Sequence, residues 1–150
     1  MPDLSSPEYT PFRPRAARTV AWIMGSLVAG LVVTLEVLGA TGVLPVWRWV
    51  DRIGSFLFFG AGLWIIWRQA TVNAIPSAGG LRVRNLVLTR ELAWAEIVRV
   101  SFARGRPWVH LDLADGDTLA VMAIQGADGE YGVQEARRLA SLVAEHEGAE

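Results

Sequence analysis

Residues 79–102 read GGLRVRNLVLTRELAWAEIVRVSF. From Leu81 to Arg84 aliphatic residues alternate with arginines. In an extended chain this puts Leu81 and Val83 on one face and Arg82 and Arg84 on the other. RELAW, 90–94, repeats the pattern with Leu92 and Trp94 turned inward, and IVRVSF, 97–102, does so with Val98, Val100 and Phe102. The stretch holds no nucleophile set beside a base, no metal-ligand spacing and no phosphate-binding glycine loop. It predicts a small antiparallel sheet.

The pattern continues downstream. WVHLDL, 108–113, and TLAVMAI, 118–124, are joined through Asp115-Gly116, a dipeptide suited to a tight hairpin turn. Together these runs form a meander of about five short strands with turns at the spacing of small barrels and sandwiches. NAI near residue 74 offers a further strand. The chain then changes period: Val133, Ala136, Leu139, Ala140 and Val143 recur at helical spacing within residues 128–148. One amphipathic helix after a meander must bury its stripe somewhere, and the open end of the sheet is the available place.

Upstream the chain is of another kind. Between Val20 and Trp47 the only ionisable residue is Glu36, and TVAWIMGSLVAGLVVTLEVLG, 19–39, has the length a bilayer core requires. VWRWVDRIGSFLFFGAGLWIIWR, 46–68, follows; its span begins near Trp49, and Trp47, Trp49, Trp64 and Trp67 suit two aromatic belts. A signal peptide is excluded by the length of the first apolar run. The expected organisation is a tail over 1–18, a two-helix membrane hairpin over 19–68 with spans at about 19–39 and 49–67, and a sheet-and-helix domain over 69–150. Gly39, Gly42 and Pro45 supply the hairpin's turn. Arg13, Arg15, Arg18 and Arg68 flank the pair, against Arg48 and Arg52 in the connection, so both termini are expected on the cytoplasmic side of the cell membrane. Glu36 reads as an ion pair with Arg52 or a solvated helix end. Ala21, Gly25 and Ala29 form a row of small residues able to pack against the second helix or a second copy.

Composition narrows the function. There is no cysteine, which removes disulfides and thiolate-bound metals. The net charge of −1 divides into +2 over residues 1–68 and −3 over 69–150. A net-acidic domain argues against nucleic acid as a partner.

At this point GLRVRN, Trp94, Glu96-Ile97, PWVHLDLADGDTLAVMAIQGADG and the terminal helix ending AEH resemble the PH-domain-containing membrane proteins of actinobacteria, the bacterial PH domain family of the low molecular weight protein antigen 6 type. The likeness covers about residues 70–147, and the preceding helical hairpin matches the family's layout. It implies a pleckstrin-homology-like fold, a small antiparallel barrel or bent sheet of five to seven strands capped by a C-terminal helix. It implies no reaction, cofactor or catalytic residue.

Three candidate sites remain. Arg82, Arg84 and Arg90 are expected together on the outer face of the first hairpin, resembling part of the basic pattern with which eukaryotic PH domains bind phosphoinositides; Arg104 and Arg106 in a later turn offer a second contact for anionic headgroups. The plainer reading is a solvated sheet face with arginines opposite acids such as Glu91. His110, Asp112, Asp115 and Asp117 are the best constellation for metal or catalysis, yet calcium-loop spacing and a partnered nucleophile are both missing. Trp94 and Trp108 read as core and partly buried packing rather than as a pocket. The sequence is therefore read as a non-enzymatic, membrane-anchored binding or scaffolding module without cofactor. Its partners are the bilayer and an unidentified membrane or cytoplasmic protein. Anionic-headgroup binding through Arg82, Arg84, Arg104 and Arg106 is the alternative.

Overall fold

A computed structural model describes residues 9–44, 48–103 and 105–147. They form two compact units: one is Ala17–Ala70, and the other joins the segment before it to the chain from Thr71 onward.

In the first unit, α1 (Arg15–Ala40) and α2 (Trp49–Ala70) are long because nothing in their sequences breaks them. At 1.5 Å per residue they measure roughly 39 and 33 Å, enough to cross a bilayer core. Both are also apolar enough to cross, and neither apolar window is buried inside the protein. Trp22, Leu57 and Phe58 are 66%, 71% and 74% exposed, so these helices are not the covered core of a soluble fold. α1 ends where Thr41 bonds back to Val37 and Gly42 takes φ +75°. α2 starts where the Asp51 carboxylate accepts the Arg48 N–H at 2.8 Å. The ion pair expected of Glu36 is present: Arg52 Nε lies 3.6 Å from its carboxylate, and the Ser55 hydroxyl is 3.5 Å away. Along the small-residue row Ala21 is buried, and a side chain added at Gly25 would meet Ile66 of α2 at 3.5 Å. Trp47 and Pro45 lie outside the described residues.

The second unit contains six strands in two antiparallel sheets of three, with strand orders β1-β2-β3 and β4-β5-β6. The strands are β1 (Asn73–Ser77), β2 (Gly80–Arg84), β3 (Thr89–Leu92), β4 (Ile97–Ser101), β5 (Trp108–Leu113) and β6 (Thr118–Gln125). Helix α3 (Glu130–Glu147) closes the core with Ala136, Leu139, Leu142 and Val143. Of the barrel or bent sheet of five to seven strands expected from the sequence, no closed barrel forms among the described residues; six strands lie in two separate sheets. The further strand offered near residue 74 is β1. It contains Pro76, which lacks a donor and is tolerated because β1 lies at a sheet edge.

Two features mark the joints between the sheets. Between β3 and β4 the chain makes a 3-10 turn, Trp94–Glu96, in which the Glu96 carboxylate accepts the Ala93 N–H at 2.7 Å. On the other side a single side chain stands where a ladder would be. Asn85 Nδ2 donates to Ala120 O at 2.7 Å, and the Met122 N–H donates to Asn85 Oδ1 at 3.1 Å, tying the end of β2 to β6. Gly80 is required at the start of β2, since a Cβ there would lie 2.0 Å from Leu92 O.

Two inward patterns differ from expectation. β4 buries Ile97, leaves Val98 58% exposed and holds Val100 half-buried, as is Phe102 just beyond it. A bulge between Ile97 and Arg99 breaks the alternation. On α3 Ala136, Leu139 and Val143 are buried as expected, whereas Ala140 is exposed, Val133 is half-buried and Leu142 is buried in addition.

The segment before α1 is built into this unit. Phe12 and Ala74 exchange backbone hydrogen bonds of 2.8 and 3.1 Å, extending the sheet beyond β1, and Phe12 is fully buried. The Arg138 guanidinium sits 3.9 Å over its ring and also bonds Thr10 and Glu135. The Asp128 carboxylate accepts the N–H groups of Arg15 and Ala16 at 3.2 and 2.7 Å, capping the first turn of α1 from a distant part of the chain.

Candidate functional site

The β2–β3 hairpin positions the arginines, and its register decides which of them share a surface. Arg82 lies opposite Glu91, Val83 opposite Arg90, and Arg84 opposite Thr89. Opposed residues point to the same side of a sheet, so Arg82 and Arg84 share the outer face while Arg90 belongs to the face of buried Val83. The expected cluster of Arg82, Arg84 and Arg90 is thereby corrected. The alternation that carries Leu92 inward carries Arg90 with it.

Their charges are also committed differently. Arg82 Nε pairs with the Glu91 carboxylate at 3.4 Å. Arg90 reaches the turn between β5 and β6, where Asp115 and Asp117 lie 3.3 and 3.7 Å from its guanidinium. Arg84 makes no ion pair among the described residues and is half-buried at the end of β2. Arg106 is exposed in the turn before β5, its N–H bonded to Ala103 O at 3.1 Å. Arg104 lies outside the described residues. Over the outer face of the first sheet runs a shallow groove of about 430 Å³, lined by Ile75, Ser77, Arg82, Glu91 and Ala93 among others. Arg82 and Glu91 are paired within its lining, so the groove carries both signs of charge rather than a cationic pocket.

Of the His110 constellation, His110, Asp115 and Asp117 make structural contacts. His110 Nδ1 lies 3.0 Å from Trp108 O; Asp115 bonds the Asp117 N–H at 2.9 Å and shapes the turn in which Gly116 takes φ +88°. Among the described residues no three histidine, aspartate or glutamate side chains gather as a metal cluster. Trp94 is buried, donates from Nε1 to Ser77 O at 2.9 Å, and stacks on His146 with centroids 4.7 Å apart. Trp108 is half-buried.

Sequence reasoning missed the tip of the β2–β3 hairpin. Asn85 N–H donates to Leu88 O at 2.8 Å, closing the turn, and beyond it Val87 and Leu88 are 79% and 66% exposed. The run LVL was visible, but the alternation of the flanking strands drew attention to the arginines instead.

A six-stranded unit closed by a C-terminal helix, with Asn85, Trp94 and Glu96 holding its joints, defines the class: the chain belongs to the bacterial PH domain family, whose model matches residues 77–141. Its relatives include Rv1417 of Mycobacterium tuberculosis and Mb1452 of Mycobacterium bovis, both uncharacterized proteins. Each is 32% identical over 145 residues, spanning 93% of this chain and 87% of its own. No solved structure matches the chain significantly.

Proposed function

We propose that the protein is a non-enzymatic, membrane-anchored binding module. In this reading α1 and α2 cross the cell membrane, both termini face the cytoplasm, and the PH-like unit holds a protein partner close to the bilayer. The observation that carries the proposal is the uncovered apolar surface of both helices, which water would not tolerate at this length and a bilayer would cover. Asp115, Asp117 and Glu96 of the PH-like unit serve a turn, a cap and ion pairs, which favours binding over turnover.

A reporter active only in the cytoplasm, fused after the C-terminus or into the turn at Gly42, tests the topology. The expected outcome is a signal from the C-terminal fusion and silence from the turn. The reverse pattern would move the domain outside and redirect the search for partners to the envelope.

Binding of anionic headgroups is a second reading, supported by Arg84 and Arg106, which make no ion pair among the described residues. Arg82 contributes less to it, because Glu91 already neutralises its charge. Arg84→Ala and Arg106→Ala together should then weaken salt-sensitive association with anionic lipid, whereas Arg82→Ala should leave it nearly unchanged.

A further inference from the structure

The tip of the β2–β3 hairpin carries two exposed apolar residues. Val87 and Leu88 are 79% and 66% exposed and adjacent, at the end of a hairpin rather than scattered over a strand. The tip is also held rigidly. Asn85 closes the turn through its N–H to Leu88 O, and both ends of its side-chain amide are anchored on β6, at 2.7 and 3.1 Å. A side chain so fixed cannot let the hairpin fold back to hide the two residues. Immediately before Asn85 stands Arg84, a guanidinium without an ion pair among the described residues, while Arg82 and Arg90 each face a carboxylate. An apolar point beside a cation matches the border between acyl chains and phosphates, where apolar side chains enter and arginine stays with the headgroups. A bilayer is close at hand in the chain itself: only Thr71 and Val72 separate the last residue of α2 from the first of β1.

We propose that Val87 and Leu88 insert into the headgroup boundary of the membrane as a wedge, with Arg84 on the lipid phosphates. The domain is then docked on the lipid surface as well as tethered to it, and its free surfaces are held in a fixed presentation. This proposal rests on the membrane-anchored reading above.

The test uses the full chain, one copy per nanodisc, in phosphatidylglycerol and phosphatidylcholine with brominated acyl chains. The sequence has no cysteine, so Leu88→Cys, Val98→Cys and Leu27→Cys each carry a single thiol for an environment-sensitive fluorophore. Val98 is an exposed residue of β4 and Leu27 an exposed residue of α1. The label at position 88 should be quenched by brominated lipid severalfold more than the label at 98 and shielded from aqueous iodide, and Arg84→Glu should reduce both effects. A label at 88 as open to iodide as the one at 98 would overturn the wedge, including the case in which only a second copy or a protein partner covers the tip. Lipid quenching at 27 with none at 88 leaves the anchoring intact and rejects the wedge alone; absence of quenching at 27 rejects both. Val87→Cys gives an independent reading of the same tip should the label at 88 disturb the turn.

Discussion

Asn85 holds together what the backbone leaves apart. Its amide satisfies one carbonyl and one N–H of β6, so Asn85→Ala strands both in a partly buried seam. Two lost hydrogen bonds of this kind should cost about 2 kcal/mol, read as a lower urea midpoint for the PH-like unit in detergent-solubilised full chain. Asn85→Asp should recover only part of the loss, because a carboxylate accepts from Met122 N–H but offers Ala120 O no donor. The residue was visible in the sequence as part of the family resemblance, yet its role was not. A bond between positions 35 residues apart leaves no periodic trace. Glu36 was legible for the opposite reason, since a lone acid in an apolar run has few partners and Arg52 stood opposite it across the turn.

Among the elements, β4 shows how a period can be right and its phase wrong. Alternation along 97–102 was read correctly as a strand, but the bulge after Ile97 inserts a step that composition does not reveal. Ile97→Ala should therefore cost about 2–5 kcal/mol, while Val98→Ala should stay within about 0.5 kcal/mol of the parent, a contrast that thermal or urea unfolding would read directly. Equal losses at both positions would mean the strand keeps the unbroken alternation. On α3 the phase is right at Ala136, Leu139 and Val143, and only the flank differs, with Leu142 rather than Ala140 facing the core. The β5–β6 hairpin was the easiest element to read, because Asp115-Gly116 encodes its turn locally and Gly116 adopts the positive φ that turn needs.

At the scale of the whole molecule, composition alone separated an apolar helical pair from an alternating domain. The segment before the helices escaped that reading. Thr-Pro-Phe-Arg-Pro carries neither a strand period nor a helical one, so nothing local marks Phe12 as a core residue. Phe12→Ala should cost about 3–5 kcal/mol, with the loss falling on the PH-like unit although position 12 precedes both helices; proteolysis of the C-terminal half should rise accordingly. Sequence neighbourhood is a poor guide here because contacts that close a domain depend on its final shape.

The hydrogen bonds between Phe12 and Ala74 have a further consequence, one of parity. Those two residues bracket the entire helical pair, and they can touch only if they occupy the same compartment. On the membrane-anchored reading proposed above, a chain that enters the bilayer after Phe12 would have to leave it on the side it came from before Ala74, and the number of crossings between them would be even. A single crossing, with one helix spanning and the other lying along the surface, would part the two residues by the thickness of the membrane. Which compartment holds them is a matter of charge; that they share one is a matter of geometry.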